Sequence, residues 1–324
     1  MRLRRRRFLQ LAAAAAALPA VRLAWAQAYP SRPVRIIVGF PAGGQIDIIA
    51  RLIGQWLSER LGQQFYVDNR PGAASNIATE ALVRAAADGH TLFLANATNA
   101  VNASLFDKLS FDFIRDTVPV ASINRIPLVL EAHPAFPART VAELIAHAKA
   151  NPDKVSLASP PKGTAPFMAA ELFKMMGGVE MLRVPYRGSA QMVPDLIGGQ
   201  VQVAFDGISS SIEHIRTGRL RALAVATAAR LEALPEVPTV AESVPGFEAS
   251  GWCGVVAPRN TPNEITDRLH QEINAGLADA KIKSRLADLG VTVLAGSATQ
   301  FGKLIADETE KWGKVVRFAG LKPD

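Results

Sequence analysis

Short apolar runs, often β-branched, alternate along this chain with longer stretches in which apolar residues recur every three or four positions. The clearest pair is the run at 34–38 and the stretch after it, where Ile49, Ile53 and Leu57 share one helical face. Strands that alternate with helices predict parallel sheets with crossover helices, and therefore an α/β fold. The predicted strands are 34–38, 65–67, 91–94, 127–130, 155–158, 181–184, 201–205, 221–225, 254–256 and 291–294.

Residues 1–26 have the pattern of a removable export signal. Four arginines at 4–7 precede an apolar stretch at 11–18, and Ala24 and Ala26 form a small-x-small cleavage site. The apolar stretch is well short of the roughly 18 residues that indicate a membrane span. The RRxFL run resembles a twin-arginine signal, and an ordinary Sec signal with extra arginines is the alternative. We therefore expect the mature protein in the periplasm.

Removal of this segment changes the charge of the protein. The full chain has a formal charge of +7, and six arginines but no acidic residue lie in 1–26, so the remainder is near +1. The basic character thus belongs to the signal, which argues against nucleic acid as a partner. Cys253 is the only cysteine. It excludes a disulfide framework, and its apolar neighbours favour a buried structural thiol.

About 298 residues remain after the signal. This length suits two lobes of roughly 100–200 residues each. No later segment has 18 uninterrupted apolar residues, so we expect a soluble mature protein.

Several strand-to-helix turns are rich in glycine, serine, threonine and asparagine. The first is GFPAGGQID at 39–47, and similar turns follow at 70–76, 96–99, 159–165 and 205–210. Glycines let a backbone approach a ligand closely, and a helix start directs free N–H groups at an anion. Ligands of open α/β sheets bind beyond the carboxyl ends of strands. These turns favour a carboxylate site, although tight turns without a ligand are the alternative.

Catalytic patterns are weak. The five histidines are scattered without the spacing of metal ligands. The run at 207–211 lacks the last glycine of a nucleophile elbow. Asp47, Asp195 and Asp206 are candidate acids or bases, but each is more typical of a helix cap or a loop. We therefore expect no enzyme activity, no metal and no cofactor.

Seven segments resemble the Bug family, the solute receptors of tripartite tricarboxylate transporters. They are FPAGGQIDIIAR at 40–51, NRPGA at 69–73, DGHTL at 88–92, VPYRGS at 184–189, DLIGGQV at 195–201, GRLRALAV at 218–225 and LPEVPTV at 234–240. The resemblance covers essentially the whole mature chain in order, so it is far more specific than any single segment.

The resemblance implies a type II periplasmic binding protein, with two Rossmann-like lobes and a hinge that close like a Venus flytrap. One lobe would combine 27–124 with 252–324, and the other would be 125–251. A small organic carboxylate would bind between them and pass to the membrane subunits of the transporter, with the receptor a monomer. The implied ligand residues of the first lobe are Phe40, Pro41, Ala42, Gly43, Gly44, Asp47, Ser75, Asn76 and Thr98. Those of the second are Ser159, Gly163, Thr164, Ala165 and Asp206.

The chain departs from the family pattern around the expected cleft. Ala74 and Ser75 stand where the family often has two glycines, and Gly207 stands where an asparagine is common. Segment 159–164 carries two prolines in place of glycine-rich sequence, and Phe167–Met168 replaces a common His-Leu pair. We therefore expect a ligand that differs from the family's common one.

Two questions stay open from the sequence. Lys162 and Arg187 are basic residues near the expected cleft, and each either contacts the ligand or points to solvent. The same clamshell would also serve a receptor that presents its closed form to a sensor kinase, because both roles use one cleft.

Overall fold

The predicted alternation of strands and helices forms in the computed structural model, which describes residues 29–323. Each of the ten predicted strand segments overlaps one strand. The strands are β1 Val34–Val38, β2 Phe65–Asn69, β3 Thr91–Asn96, β4 Thr117–Ala132, β5 Ser156–Ser159, β6 Leu182–Pro185, β7 Val203–Gly207, β8 Arg221–Val225, β9 Ser250–Pro258 and β10 Thr292–Val293. The predicted export signal at 1–26 lies outside the described residues.

Helices connect most of these strands. They are α1 Gln45–Leu61, α2 Asn76–Val83, α3 Ala97–Leu105, α4 Phe113–Asp116, α5 Val141–Ala150, α6 Ala165–Gly177, α7 Ser189–Ile197, α8 Ile208–Arg216, α9 Asn263–Ala278, α10 Ala280–Asp288 and α11 Ala298–Phe318. Two short 3₁₀ helices, Ala73–Ser75 and Val240–Glu242, complete the set within the described residues. The face predicted for α1 is buried, since Ile49, Ile53 and Leu57 are at most 1% exposed.

One long strand joins the two halves of the sheet. The strand order is β2-β1-β3-β9-β4-β7-β5-β6, and both β8 and β10 pair with β4. The pairing of β1 with β2 and β3, and of β5 with β6 and β7, is parallel. We call β2-β1-β3-β9, the first part of β4, β10 and their helices the first lobe. The second part of β4, β7, β5, β6, β8 and their helices form the second lobe.

Only the end of β4 was predicted, as 127–130. The missed part pairs with β9 through two register shifts, at Pro119/Ala121 and Ser122/Asn124. Proline has no N–H for the ladder and is confined to bulges and edges, and the polar side chains of Asn124 and Arg125 interrupt the apolar pattern. Because each β-bulge inserts a residue and disrupts alternation, a local pattern misses such a strand.

Two large apolar cores lie on the faces of the sheet. One contains Phe93 and Trp312 together with Phe167 and Phe205, so it continues from the first lobe into the second. The other packs α1 and α9 against the first lobe and includes Cys253. Cys253 is fully buried, as predicted, and burial raises the pKa of its thiol to about 12.

Candidate functional site

A cavity of about 380 Å³ lies between the two lobes. Its walls come from the loops after β1, β3, β5 and β7, and from β4 and β9 where these strands pass between the lobes. The lining residues are Phe40, Gln45, Ile46, Asn96, Ala97, Thr98, Ile126, Leu128, Thr164, Ala165, Pro166, Ser189, Asp206, Gly207, Ser209, Ser210, Gly251 and Trp252.

Five helices begin at this cavity. The first residues of α1, α3, α6 and α7 are Gln45, Ala97, Ala165 and Ser189, and α8 contributes Ser209 from its first turn. Each helix start carries free N–H groups and a partial positive charge, which favours an anion by about 0.3–1 kcal/mol per helix. These helix starts favour an anion in the cavity although none of its described lining residues is Lys, Arg or His.

Two buried donors at the cavity also lack a partner in the part of the chain that the structure describes. Asn96 caps α3, where its Oδ1 accepts the N–H of Thr98 at 3.0 Å, but its Nδ2 has no hydrogen-bond partner among the described residues. The indole Nε1 of Trp252 also has no hydrogen-bond partner among the described residues, and this side chain is 0% exposed. A buried polar group without a partner costs roughly 1–3 kcal/mol, so both N–H groups are suited to a bound acceptor.

Asp206 is the only ionisable residue among the described lining residues. Its Oδ1 accepts a hydrogen bond from Ser189 Oγ at 2.7 Å, while its Oδ2 has no partner within residues 29–323. Burial raises the pKa of this carboxyl, and hydrogen bonds from Ser189, the Gly207 N–H and Ser210 partly oppose that rise.

Asp47, also predicted to bind ligand, does not line the cavity. Its Oδ2 accepts the N–H of Gly43 at 2.8 Å and Nε of Arg51 at 2.9 Å. Its Oδ1 accepts Nδ2 of Asn69 at 2.9 Å, and the same amide bonds the carbonyl of Phe40. Burial opposes ionisation of Asp47, but these hydrogen bonds outweigh it and lower its pKa. Asp47 therefore holds the shape of the loop at 40–44.

Ser75 and Asn76 are not among the residues that line the cavity. Ala73, Ala74 and Ser75 all have left-handed φ values, of 45°, 50° and 73°, a conformation that glycine adopts at less cost. This agrees with the two glycines expected from the family at 74 and 75. Asn76 accepts a hydrogen bond from Nδ2 of Asn102 at 2.8 Å, so it belongs to a buried polar cluster.

The predicted ligand residues thus divide into two groups. Those at the cavity are Phe40, Thr98, Thr164, Ala165 and Asp206. Those elsewhere in the same loops are Pro41, Ala42, Gly43, Gly44, Asp47, Ser75, Asn76, Ser159 and Gly163. Ser189 and Ser209 also line the cavity but were not predicted, although each lies in the first turn of a helix, where a search for serines would have found them. No sequence pattern indicated Trp252 as a ligand contact, because a tryptophan in an apolar strand is typical of a buried core.

The two undecided basic residues do not line the cavity. Lys162 contacts the carbonyl of Lys322 at 3.4 Å, near the end of the chain. The N–H of Arg187 donates to Oε1 of Gln191 at 3.4 Å. Neither residue is therefore among those that line the cleft.

A larger groove of about 660 Å³ runs beside the cleft, between α8 and the loop after α10. It is lined by charged side chains such as Arg216, Glu232 and Asp288, and by apolar ones such as Ile212. None of its described lining residues has an unpartnered buried polar atom, whereas the cleft has three. The cleft is therefore the better candidate site.

Two further features bear on function. Within residues 29–323, no group of three or more His, Cys, Asp or Glu residues is arranged to hold a metal ion. Among the helices of the same residues, none combines the length and apolarity that crossing a membrane requires.

Comparison with known proteins identifies close relatives. A model of the "Tripartite tricarboxylate transporter family receptor" matches residues 49–321. Protein BugT of Bordetella pertussis is 38% identical over 300 residues, which are 92% of this chain and 92% of BugT. Rpa4515 of R. palustris, solved with adipate, is 36% identical with a TM-score of 0.77, over 91% of this chain and 100% of Rpa4515. MatC of Rhodopseudomonas palustris, solved with malate, is 30% identical with a TM-score of 0.74, over 89% and 100% of the two chains.

These matches cover nearly the whole chain and agree with the geometry. The likeness to Rpa4515 confirms the predicted two-lobed α/β fold of periplasmic solute-binding proteins. The family match and the likeness to BugT confirm the predicted family. The chain therefore belongs to the Bug family, the receptors of tripartite tricarboxylate transporters.

Proposed function

We propose that this protein is a periplasmic receptor that captures a small organic carboxylate between its two lobes and delivers it to a membrane transporter. The observation that carries this proposal is the convergence of five helix starts on a cavity whose described lining has no cationic side chain. Backbone N–H groups at helix starts bind a carboxylate without a cationic side chain. The export-signal pattern at 1–26 supports the periplasmic location.

The ligands of the relatives support the class of ligand. Rpa4515 was solved with adipate and MatC with malate, and both are dicarboxylates. The family is described as a receptor family for tripartite tricarboxylate transporters, which supports the membrane subunits of such a transporter as the partner. Binding and release by lobe movement require no chemical step, so we propose no catalytic residue and no cofactor.

Closure would occur about the strands that pass between the lobes. β4 pairs with β9 up to Pro127 and with β7 from Leu128 onward. The predicted crossings near 125 and 251 lie close to this change of partner and remain our proposal for the lobe boundaries. A hinge of a few residues at the ends of strands absorbs this kind of movement.

The ligand would contact both walls of the cleft. We propose direct contacts with Phe40, Thr98, Thr164, Ala165 and Asp206, the predicted residues that line the cavity. Asn96 and Trp252 would add their unpartnered N–H groups. The other predicted residues would shape the loops, as Asp47 shapes the loop at 40–44.

The test is calorimetry of the purified mature protein against mono-, di- and tricarboxylates, with amines and neutral sugars as controls. We expect binding by one or more carboxylates and none by the amines or sugars. Failure of every carboxylate to bind would overturn the proposal.

A variant tests the role of the cleft. Trp252→Phe keeps an aromatic ring but removes the unpartnered N–H, so we expect about tenfold weaker carboxylate binding, since one hydrogen bond to a charged group contributes about 1.5 kcal/mol or more. The matched control is Trp56→Phe, which removes an N–H that already donates to the carbonyl of Glu272 at 2.8 Å. We expect that control to bind normally, and equal affinity of the two variants would argue against the cleft as the site.

A further inference from the structure

The second-lobe wall of the cleft contains a buried carboxylate oxygen with no donor among residues 29–323. Asp206 lies in β7 and is 2% exposed. Its Oδ1 is bonded by Ser189 Oγ at 2.7 Å, while Oδ2 has no partner among the described residues. A site for an anion needs hydrogen-bond donors rather than acceptors, so the binding of a carboxylate group alone does not account for this oxygen.

A second buried carboxyl, Glu131, lies on the same face of the sheet. In the antiparallel pairing of β4 with β7, Val129 is opposite Asp206 and Glu131 is two residues further along β4. Glu131 is 0% exposed and accepts a hydrogen bond from Ser211 Oγ at 2.9 Å. Burial, together with the charge of Asp206, raises the pKa of Glu131 to about 8.

The two carboxyls differ in how well they tolerate a negative charge. Oδ1 of Asp206 accepts a hydrogen bond from Ser189 Oγ at 2.7 Å, and the neighbouring Gly207 N–H and Ser210 also favour its charged form. Among the described residues, Glu131 accepts from Ser211 alone. When two nearby carboxyls cannot both ionise, the better hydrogen-bonded one carries the charge. These surroundings favour the charge on Asp206 and the proton on Glu131.

An ionised buried oxygen without a donor is unfavourable. Among the described lining residues of the cleft there is no Lys, Arg or His that could turn toward it. A donor group on the ligand would complete the hydrogen bonding of this oxygen.

We propose that the ligand is a carboxylic acid that also carries a hydrogen-bond donor, a hydroxyl or an ammonium group, and that Asp206 Oδ2 accepts from this donor. This inference rests on the proposed function, because it assigns the second functional group of the same ligand. The helix starts, Asn96 and Trp252 receive the carboxylate, and Asp206 selects acids with the additional donor. Acids without it leave the Asp206 oxygen unpaired, which is how a buried polar group gives selectivity.

The experiment compares matched acids by calorimetry at pH 7. The first set is succinate, malate and aspartate, which share one dicarboxylate skeleton and differ by a hydrogen, a hydroxyl or an ammonium group. The second set is propionate, lactate and alanine, and a third is built on whichever panel carboxylate binds most tightly. We expect the hydroxyl or the ammonium member to bind at least tenfold more tightly than the unsubstituted acid, and the stronger member identifies the donor.

Two variants test whether Asp206, rather than Glu131, causes the preference for acids with a donor. Asp206→Asn should reduce the preference from tenfold or more to less than threefold, because the amide can turn its own N–H toward the ligand. Glu131→Gln keeps a neutral side chain of the same shape, so it should keep the preference of the unaltered protein. Thermal unfolding of both variants shows that each is folded.

The outcomes separate this inference from the proposed function. Carboxylate binding without any preference for a donor overturns the inference alone and leaves the receptor function standing. Loss of the preference in Glu131→Gln as well as in Asp206→Asn also overturns it, since Glu131 would then carry the charge. Absence of binding by every carboxylate overturns both proposals.

Discussion

Asp47 in the first turn of α1 and Asp206 near the end of β7 both lie where a strand leads into a helix, and the two aspartates have opposite surroundings. Asp47 accepts hydrogen bonds from Gly43, Arg51 and Asn69, and its pKa is lowered. Asp206 keeps one oxygen without a described partner, and its pKa is raised, chiefly by burial. Both are buried acids at a turn between a strand and a helix. The acceptor oxygens of Asp47 are filled by the protein, as expected of a residue that stabilises a loop. Asp206 has an unfilled acceptor oxygen among the described residues, as expected of a residue in an empty binding site.

This difference shows why residue type and position within a turn do not identify a ligand contact. A carboxylate whose acceptor sites are filled by the protein has little left to offer a ligand, whereas an unfilled acceptor is costly until something binds. The same criterion singles out Trp252, whose N–H is unpartnered, from Trp56, whose N–H is bonded to a carbonyl.

The largest expected effect belongs to Asp47. Asp47→Ala leaves the Gly43 N–H and the Asn69 amide without their acceptor, so we expect the free energy of unfolding to fall by about 3 kcal/mol in urea. The matched control is Asp307→Ala, which removes an exposed ion pair with Lys303 and should change stability by less than about 0.5 kcal/mol. If Asp47→Ala loses ligand binding but keeps full stability, Asp47 is a ligand contact after all.

The next largest effect concerns Glu131, the buried carboxyl on the same face of the sheet as Asp206. The folded pKa of Glu131 is about 8, above the ordinary value of 4.5, so between these pH values the folded protein binds more protons than the unfolded chain. Stability from this group is complete below pH 4.5 and is lost as pH rises through 8, with a slope of up to about 1.4 kcal/mol per unit. Relative to Glu131→Gln, the unaltered protein should lose about 2 kcal/mol between pH 5 and pH 7.

Urea unfolding at several pH values measures this difference. Parallel pH profiles for the unaltered protein and Glu131→Gln would mean that Glu131 titrates normally, and the assignment of the charge to Asp206 would then fail.

The smallest expected effect concerns the close contact between Gly290 and Ser209. Gly290 has a φ of +68°, and a Cβ there would lie 2.4 Å from Cβ of Ser209, at the start of α8. Gly290→Ala would separate the lobes slightly at this point, so we expect about fivefold weaker carboxylate binding by calorimetry. Gly320→Ala is the control, since Gly320 has a φ of +57° and no atom of residues 29–323 lies within 4 Å of the added Cβ. Equal affinities for the two variants would show that the bound form does not need this contact.

Much of the fold followed from local patterns, and the exceptions have physical causes. Ten strand segments were predicted because burial leaves apolar runs, and the glycine-rich turns were predicted because a strand-to-helix turn needs small residues. The first part of β4 was missed because bulges at Pro119 and Asn124 break the alternation. Of the fourteen predicted ligand residues, the five at the cavity belong to turns whose helices begin there.

By itself, the sequence determined the order of strands and helices, the signal pattern at 1–26, the small-residue turns and the family resemblance. Each of these properties is local, because a few consecutive residues are enough to determine it. Only the tertiary structure decided which turns meet in one cavity, that Asp47 braces a loop while Asp206 and Trp252 retain unpartnered atoms, and that β4 serves both lobes. Those properties depend on which distant residues supply a hydrogen-bond partner, and strand order and packing set that, rather than the neighbours along the chain.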